Sequence, residues 1–376
     1  MADAGTIAAF GDFMTATRQL PMSSPDKIVN QMTRHNTYLT KLMMAGLGAD
    51  DFFQGGTEIV EQLQLKYTSN SRNYLPTDTQ APTGTDSLTQ GKWPWRFKLV
   101  DSVWYDHEII LNNESDTRTV FKRLAKAKRQ KMYTDFFDAI NDDLWAAPDA
   151  TNMEGGNSSG TKPYSLRCYF TIGTGVPNTT AVSSNGDGAT GAGTWSTVAQ
   201  INPTNYPNWD NQRVTYDSTD ILGTLEDALD DMYIRLNWES PDSRTGMQDT
   251  KLDKLTILTN REGYKNLVKL ARLSRSATDD KGASNLGWAN GIVTYHGRAV
   301  KYISALDSTD ITPAGKPRYY FANFNHIKLV FHKNRYLAPK TFSGTVSQPF
   351  ANVEYRDTWW NLICTNRREQ GLVYAA

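Results

Sequence analysis

The sequence predicts an α+β fold, and three observations carry that prediction. Period-two strand patterning flanks a long polar stretch between residues 58 and 111. A helical pattern of about 30 residues follows, against a usual helix of about 11–12. A mixed run of strands and helices then gives way to closing strands. No internal repeat at periods of roughly 20 to 50 residues underlies this order.

Residues 1–52 read as an arm. Ser24 is placed to cap a helix through KIVNQMTRHNTYLTKLMMAG, opened by Pro25, Asp26 and Lys27 and ended by Gly46 and Gly48. Residues 53–114 read as a hairpin. In QLQLKYT, Leu63, Leu65 and Tyr67 face one way and Gln62, Gln64 and Lys66 the other. The returning strand, WRFKLVDSVWYDHEII, puts Trp95, Phe97, Leu99, Val103 and Tyr105 on one face. Between the two lies SNSRNYLPTDTQAPTGTDSLTQGKWP, Ser69 to Pro94. A compact domain seldom keeps a structureless tip of this length, and a lone two-stranded ribbon is marginal in water. The tip is therefore either a surface loop or a segment that leans on another copy of the chain.

Residues 115–149 hold the long helix, in SDTRTVFKRLAKAKRQKMYTDFFDAINDDLW. Ser115 or Asp116 caps it, Pro148 stops it, and its length is roughly 45 Å. Val120, Phe121, Leu124, Met132, Phe136, Ile140 and Leu144 recur at helical spacing. Lys122, Arg123, Lys126, Lys128, Arg129 and Lys131 follow one another with no acid between them. That stripe is a solvated face, or it meets a polyanion or acidic neighbours.

Residues 150–342 read as a mixed α/β unit with an insertion. Residues 149–215 are rich in Gly, Ser, Thr and Asn and read as loop material. STDILGTLEDALDDMYIRLNW is an amphipathic helix with Asp220 at its start. KLTILTN is a buried strand, REGYKNLVKLARLSR a second helix, and GIVTYHGRAVKYIS two strands around a turn at His296-Gly297. RYYFANFNHIKLVFHKN adds strands, and 343–376 closes with more.

Composition narrows the function classes. The chain has 376 residues, with 40 basic and 40 acidic, so no overall basic charge marks a nucleic-acid binder. No apolar run approaches the roughly 20 residues of a membrane helix. The first residues lack the pattern of a secretory signal. Cys168 and Cys364 sit in apolar, strand-like runs and read as buried thiols of a reducing compartment. Aromatics in polar segments such as NPTNYPNWDNQ and YRDTWW suit interfaces as well as cores.

Catalytic signatures are missing. There is no GxSxG, no phosphate loop and no GxGxxG opening a helix; GATGAG at 188–193 has the wrong spacing. His107 in HEIIL lacks the second histidine of a zinc-protease helix. His35, His107, His296, His326 and His332 are scattered. No catalytic residue, metal or cofactor is expected.

The order of elements resembles the major capsid proteins of tailed bacteriophages, which share the HK97-like fold. The resemblance covers nearly the whole chain. NPTNYPNWDNQ is similar to a Trp-containing segment before the axial-domain helix in one branch of that family. LTILTNREGYKNL, VTYHGRAVKYIS and YYFANFNHIKLVFHK resemble its later elements, and QPFANVEYRDTWWNLICTNRREQGLVY its closing strands. The resemblance implies an N-terminal arm (1–52), an extended E-loop hairpin (53–114), a peripheral domain with a spine helix (115–149 and 343–376) and an inserted axial α/β domain (150–342).

It also implies a structural, non-enzymatic head protein of a virion. Hexamers and pentamers of the chain would form an icosahedral shell around double-stranded DNA, held without sequence preference. A portal protein, a separate scaffolding protein and a cement or decoration protein are the implied partners, with no membrane and with assembly in the host cytoplasm. Tyr74, Leu75, Lys92, Trp93 and Trp95 are then expected where the E-loop meets a neighbour. The basic spine-helix residues would face DNA or an adjacent copy. An encapsulin-type compartment, an enzyme with a divergent site, and a tail or decoration protein are the rival readings.

Overall fold

One strand of 14 residues, β13 (Ala351–Cys364), organises the first sheet. A computed structural model of the chain describes residues 47–48, 51–65, 88–105, 117–148, 151–152, 160–170, 197–202, 205–217, 219–237, 254–277, 286–289, 292–309, 317–343 and 350–375. β4 (Arg96–Tyr105) runs antiparallel to β13 along Ala351–Trp360. β12 (Ala338–Ser343) pairs with Asn352–Asp357, and β11 (Ile327–His332) with Trp360–Cys364. The two-residue strand β1 (Phe52–Phe53) joins β11 in parallel.

The second sheet has seven strands, ordered β5 (Gln212–Tyr216), β14 (Gly371–Ala375), β10 (Tyr319–Asn323), β6 (Leu255–Thr259), β9 (Arg298–Tyr302), β8 (Ile292–Tyr295) and β7 (Leu286–Ala289). Every residue of the central β10, Tyr-Tyr-Phe-Ala-Asn, is buried, as expected of a strand covered on both faces. Helices α2 (Ile221–Leu236) and α3 (Arg261–Ala277) pack on this sheet. Asp220 caps α2 by accepting from the Gly223 N–H at 3.0 Å. Leu225, Leu229, Met232 and Leu236 form its buried stripe. The turn between β8 and β9 falls at His296-Gly297, both with positive φ, where Gly297 (φ 73°) takes the conformation that a side chain disfavours.

The long helix is α1 (Thr117–Trp145), close to its expected bounds. Met132, Phe136, Ile140 and Leu144, four apart, are buried on one face. A separate ribbon pairs β2 (Glu58–Gln64) with β3 (Leu88–Pro94).

The structure departs from the sequence reading in four places. The strand returning to β2 is β3, which starts at Leu88, inside the stretch read as tip. The strand read as its partner, β4, pairs instead with β13. Alternating polar residues in LTQGKWP hid β3, and Trp95 alone separates it from β4. The boundary drawn at 342/343 does not follow the sheets: β11 and β12 belong with β13, whereas the final β14 crosses to the second sheet. Apolar patterning reports burial but not the partner strand. Within the presumed loop 149–215, residues 163–170 are buried core. There Cys168 lies in a 3₁₀ turn (Leu166–Tyr169) rather than a strand. The expected helix from Lys27 to Gly46 and the NTTAVSSNGDGATGAGTW stretch lie outside the described residues.

Both cysteines are buried thiols outside any disulfide, and burial pushes the Cys364 thiol up to about 12. A thiolate is the reactive form. Neither thiol should therefore react with iodoacetamide in the folded chain at pH 8, and both should react in denaturant. Native labelling measured by mass spectrometry would contradict this placement.

Candidate assembly surfaces

The ribbon is tied to the body through its inner face. In β2 and β3, Ile59 and Leu63 are buried, with Trp93 opposite Ile59. The Trp93 indole is fully buried and donates through Nε1 to the Tyr169 hydroxyl at 2.9 Å; that hydroxyl donates to the Leu362 carbonyl at 2.7 Å. The ring lies across Gly91, where a Cβ would come within 2.6 Å of it, so the ribbon needs glycine there. Further ties are the Lys92 N–H to the Ala199 carbonyl (3.1 Å) and the Asn208 side chain to the Leu65 carbonyl (2.9 Å). Trp95 is also buried: Nε1 donates to the Gly56 carbonyl at 3.2 Å, and its ring meets His332 edge-on at 5.4 Å.

Trp93 and Trp95 thus fill the chain's own core rather than a neighbour's surface. Each aromatic found a cavity and a carbonyl or hydroxyl acceptor nearby. Lys92 is half-buried on the outer face, and Tyr74 and Leu75 lie outside the described residues. The outer face leaves Val60 and Leu88 exposed.

The basic stripe divides. Lys128 donates to the Val103 carbonyl at 2.9 Å, and Arg129 to the Glu354 carboxylate at 3.2 Å. Glu354 is itself 2% exposed and is shared with Arg356 at 2.5 Å. Those two basic groups stitch α1 to β4 and β13. Lys131 is exposed. Lys122, Arg123 and Lys126 lie on α1, their side chains outside the described set.

The arrangement of β4 is what sequence reasoning missed. Its even-numbered face, with Lys98, Ser102 and the half-buried Val100, packs beneath α1: Lys98 reaches the Ala139 carbonyl (2.8 Å) and pairs with Asp143. Burial raises the Asp143 carboxyl, with Lys98 opposing the shift. The odd-numbered face points outward and is mostly apolar, with Phe97 62% and Leu99 57% exposed and Tyr105 exposed beyond them; the exposed Asp101 interrupts it. β13 continues this face: Trp359 stands opposite Phe97, in edge contact at 4.8 Å, and Val353 opposite Val103. The odd-residue periodicity was legible in the sequence; that the apolar side faces solvent was not.

The segments NPTNYPNWDNQ and CTNRREQG meet where β13 leaves one sheet and β14 enters the other. Arg367, fully buried, donates Nε to the Tyr169 carbonyl (3.2 Å) and Nη1 to the Trp209 carbonyl (3.0 Å), and lies over the Trp209 ring at 5.9 Å. Burial lowers its pKa, opposed by the Asp210 carboxylate 3.9 Å away. Trp209 Nε1 donates to the Val198 carbonyl at 3.0 Å. Gln370 exchanges hydrogen bonds with the Asn323 backbone, 2.9 and 3.3 Å.

Among the described residues no three His, Cys, Asp or Glu side chains gather as a metal site, and no helix is long and apolar enough to cross a membrane. No family model matches the chain, and no curated protein matches it in sequence. Solved structures do match. A chain of the cyanophage A-1(L) capsid asymmetric unit is 13% identical, covers 96% of this chain and 98% of its own, and gives a TM-score of 0.52. The capsid of the empty GTA particle is 12% identical over 100% of both chains, with a TM-score of 0.51. The likeness is one of fold, and it runs the length of the chain.

Proposed function

We propose that this chain, which has the HK97-like fold of those capsid subunits, is a major capsid protein and not an enzyme. Copies of it would assemble as hexamers and pentamers into the icosahedral shell of a phage virion enclosing double-stranded DNA. The observation that carries this reading is the outward apolar row on β4, Phe97, Leu99 and Tyr105. Large apolar side chains exposed side by side, as Phe97 and Leu99 are, mark a contact surface. A shell supplies the cover from the next copy, and many modest contacts per subunit sum to a stable particle.

In this reading the β2–β3 ribbon and the segment it leads into form the E-loop. The first sheet with α1 is the peripheral domain, extended to include β11 and β12. The second sheet with α2 and α3 is the axial domain, completed by β14. Lys131, and the first half of α1, remain for DNA or a neighbour; Lys128 and Arg129 serve the subunit's own packing. A portal, a scaffolding protein and a cement protein are the partners such a shell uses, and the host cytoplasm the place of its assembly.

Phe97→Asp combined with Leu99→Asp tests the reading. Both side chains point outward, so the subunit should still fold, with a midpoint lowered only modestly by the lost Phe97–Trp359 contact and the new carboxylate opposite Asp357, and should fail to form particles. Normal particles from the double variant, seen by light scattering, would sink the role of this face. Nucleic acid inside wild-type particles separates a virion shell from a protein compartment.

A further inference from the structure

The turn carrying Arg367 also forms one wall of a cleft of about 340 Å³, lined by Asn208, Asp210, Gln212, Arg213, Arg235 and Arg368 among others. It opens beside β5, the edge strand of the second sheet. Its charges do not balance. Asp210 pairs with Arg213 and lies 3.9 Å from Arg367, so one carboxylate serves two guanidinium groups. Arg235 pairs with Asp231 at 2.8 Å and donates to the Arg213 carbonyl at 3.3 Å. Arg368 is exposed and makes a long contact, 3.5 Å, to the Asn208 side-chain oxygen. The next residue, Glu369, is engaged by His326 (2.8 Å), Asn366 (2.8 Å) and Asn323 (3.1 Å). The Nη1 of Arg213 is shielded from water and has no hydrogen-bond partner among the described residues. Among the described residues four arginines here meet two aspartates, a surplus of two positive charges.

Guanidinium groups with spare N–H donors bind carboxylates and phosphates in fork geometry. The chain as a whole carries 40 acidic and 40 basic residues, so a basic surplus here is matched by an acidic surplus elsewhere on the same chain. One such surplus is on α2, where Glu226, Asp227, Asp230 and Asp231 precede Arg235, its one basic residue. Asp230 is taken by Tyr295 and His296, and Asp231 by Arg235, whereas Asp227 is exposed. Identical copies arranged around a ring bring different patches of the same chain together, and opposite charge then sets register and partner choice.

We infer that the Arg213–Arg235–Arg368 cleft receives the carboxylate of an aspartate or glutamate from a second copy of this chain. This rests on the capsid reading and adds to it a specific charged contact at the β5 edge. The test compares the full-length wild type with Arg368→Glu, measuring by light scattering the subunit concentration at which particles form. At about 0.1 M salt the variant should need at least ten-fold more protein. At about 1 M salt, where exposed charges are screened within about 3 Å, the difference should shrink. Because Arg368 is exposed, its unfolding midpoint should match the wild type. Assembly of the variant at the wild-type concentration would overturn the inference while leaving the capsid reading intact. So would a difference that persists undiminished in high salt, or normal assembly with loss of bound nucleic acid, which would make the occupant a phosphate. A wild type that stays monomeric both with and without a scaffolding partner would overturn both.

Discussion

Trp93→Ala should destabilise the subunit by about 3–5 kcal/mol, the range for deleting a large buried aromatic whose site cannot collapse. The indole is fully buried, sits opposite Ile59 and lies across Gly91, so its removal empties the space between ribbon and body. The Tyr169 hydroxyl would lose the Trp93 N–H but keep its own bond to the Leu362 carbonyl. Most of the loss is therefore cavity rather than hydrogen bond. Trp93→Phe keeps a ring and should cost less, about 1–2 kcal/mol. Guanidinium unfolding of unassembled subunits reads both values. A loss below about 1 kcal/mol for the alanine variant would mean that the ribbon is not seated on the body through this residue.

Arg367→Ala should be comparably damaging, by about 3–5 kcal/mol, from two orphaned carbonyls at about 1–3 kcal/mol each and the void left behind. The guanidinium bonds the carbonyls of Tyr169 and Trp209, two residues that are themselves buried. Asp210 retains Arg213, so the loss lies in the orphaned carbonyls and the void, not in a stranded carboxylate. Arg367→Lys keeps the charge but cannot fork to both acceptors, and should recover less than half of the loss. Full recovery by lysine would assign the role to charge alone. The turn matters because it passes the chain from β13 to β14, from one sheet to the other. Loss of the junction should appear as separate unfolding of the two sheets.

Particular residues explain what the sequence did and did not reveal. The four-residue spacing of Met132, Phe136, Ile140 and Leu144 gave α1, because a helix face must repeat at that interval to be buried. His296-Gly297 between two apolar runs gave the β8–β9 hairpin, because few residues accept positive φ. Partner choice was not legible. β4 and β2 both alternate, and nothing local states that β4 pairs with a strand some 250 residues later. Exposure was misread for the same reason. Aromatics in the polar stretch suggested an interface at Trp93 and Trp95, yet both have acceptors and cavities within their own subunit. The alternation along β4 puts Phe97, Leu99, Val103 and Tyr105 on one face, but only the fold shows that α1 covers the other face and leaves this one outward. The arginine cleft draws Arg213, Arg235 and Arg368 from three separate segments, and only the fold brings them together.

These contacts describe a subunit that is internally complete at Trp93 and Arg367 and incomplete at Phe97, Leu99 and Arg368. Negative-stain electron microscopy with light scattering on the purified full-length chain, with and without a scaffolding partner, tests that claim most directly. Uniform closed shells, or discrete pentamers and hexamers that close on mixing, are the predicted result. A stable monomer under every condition would contradict it.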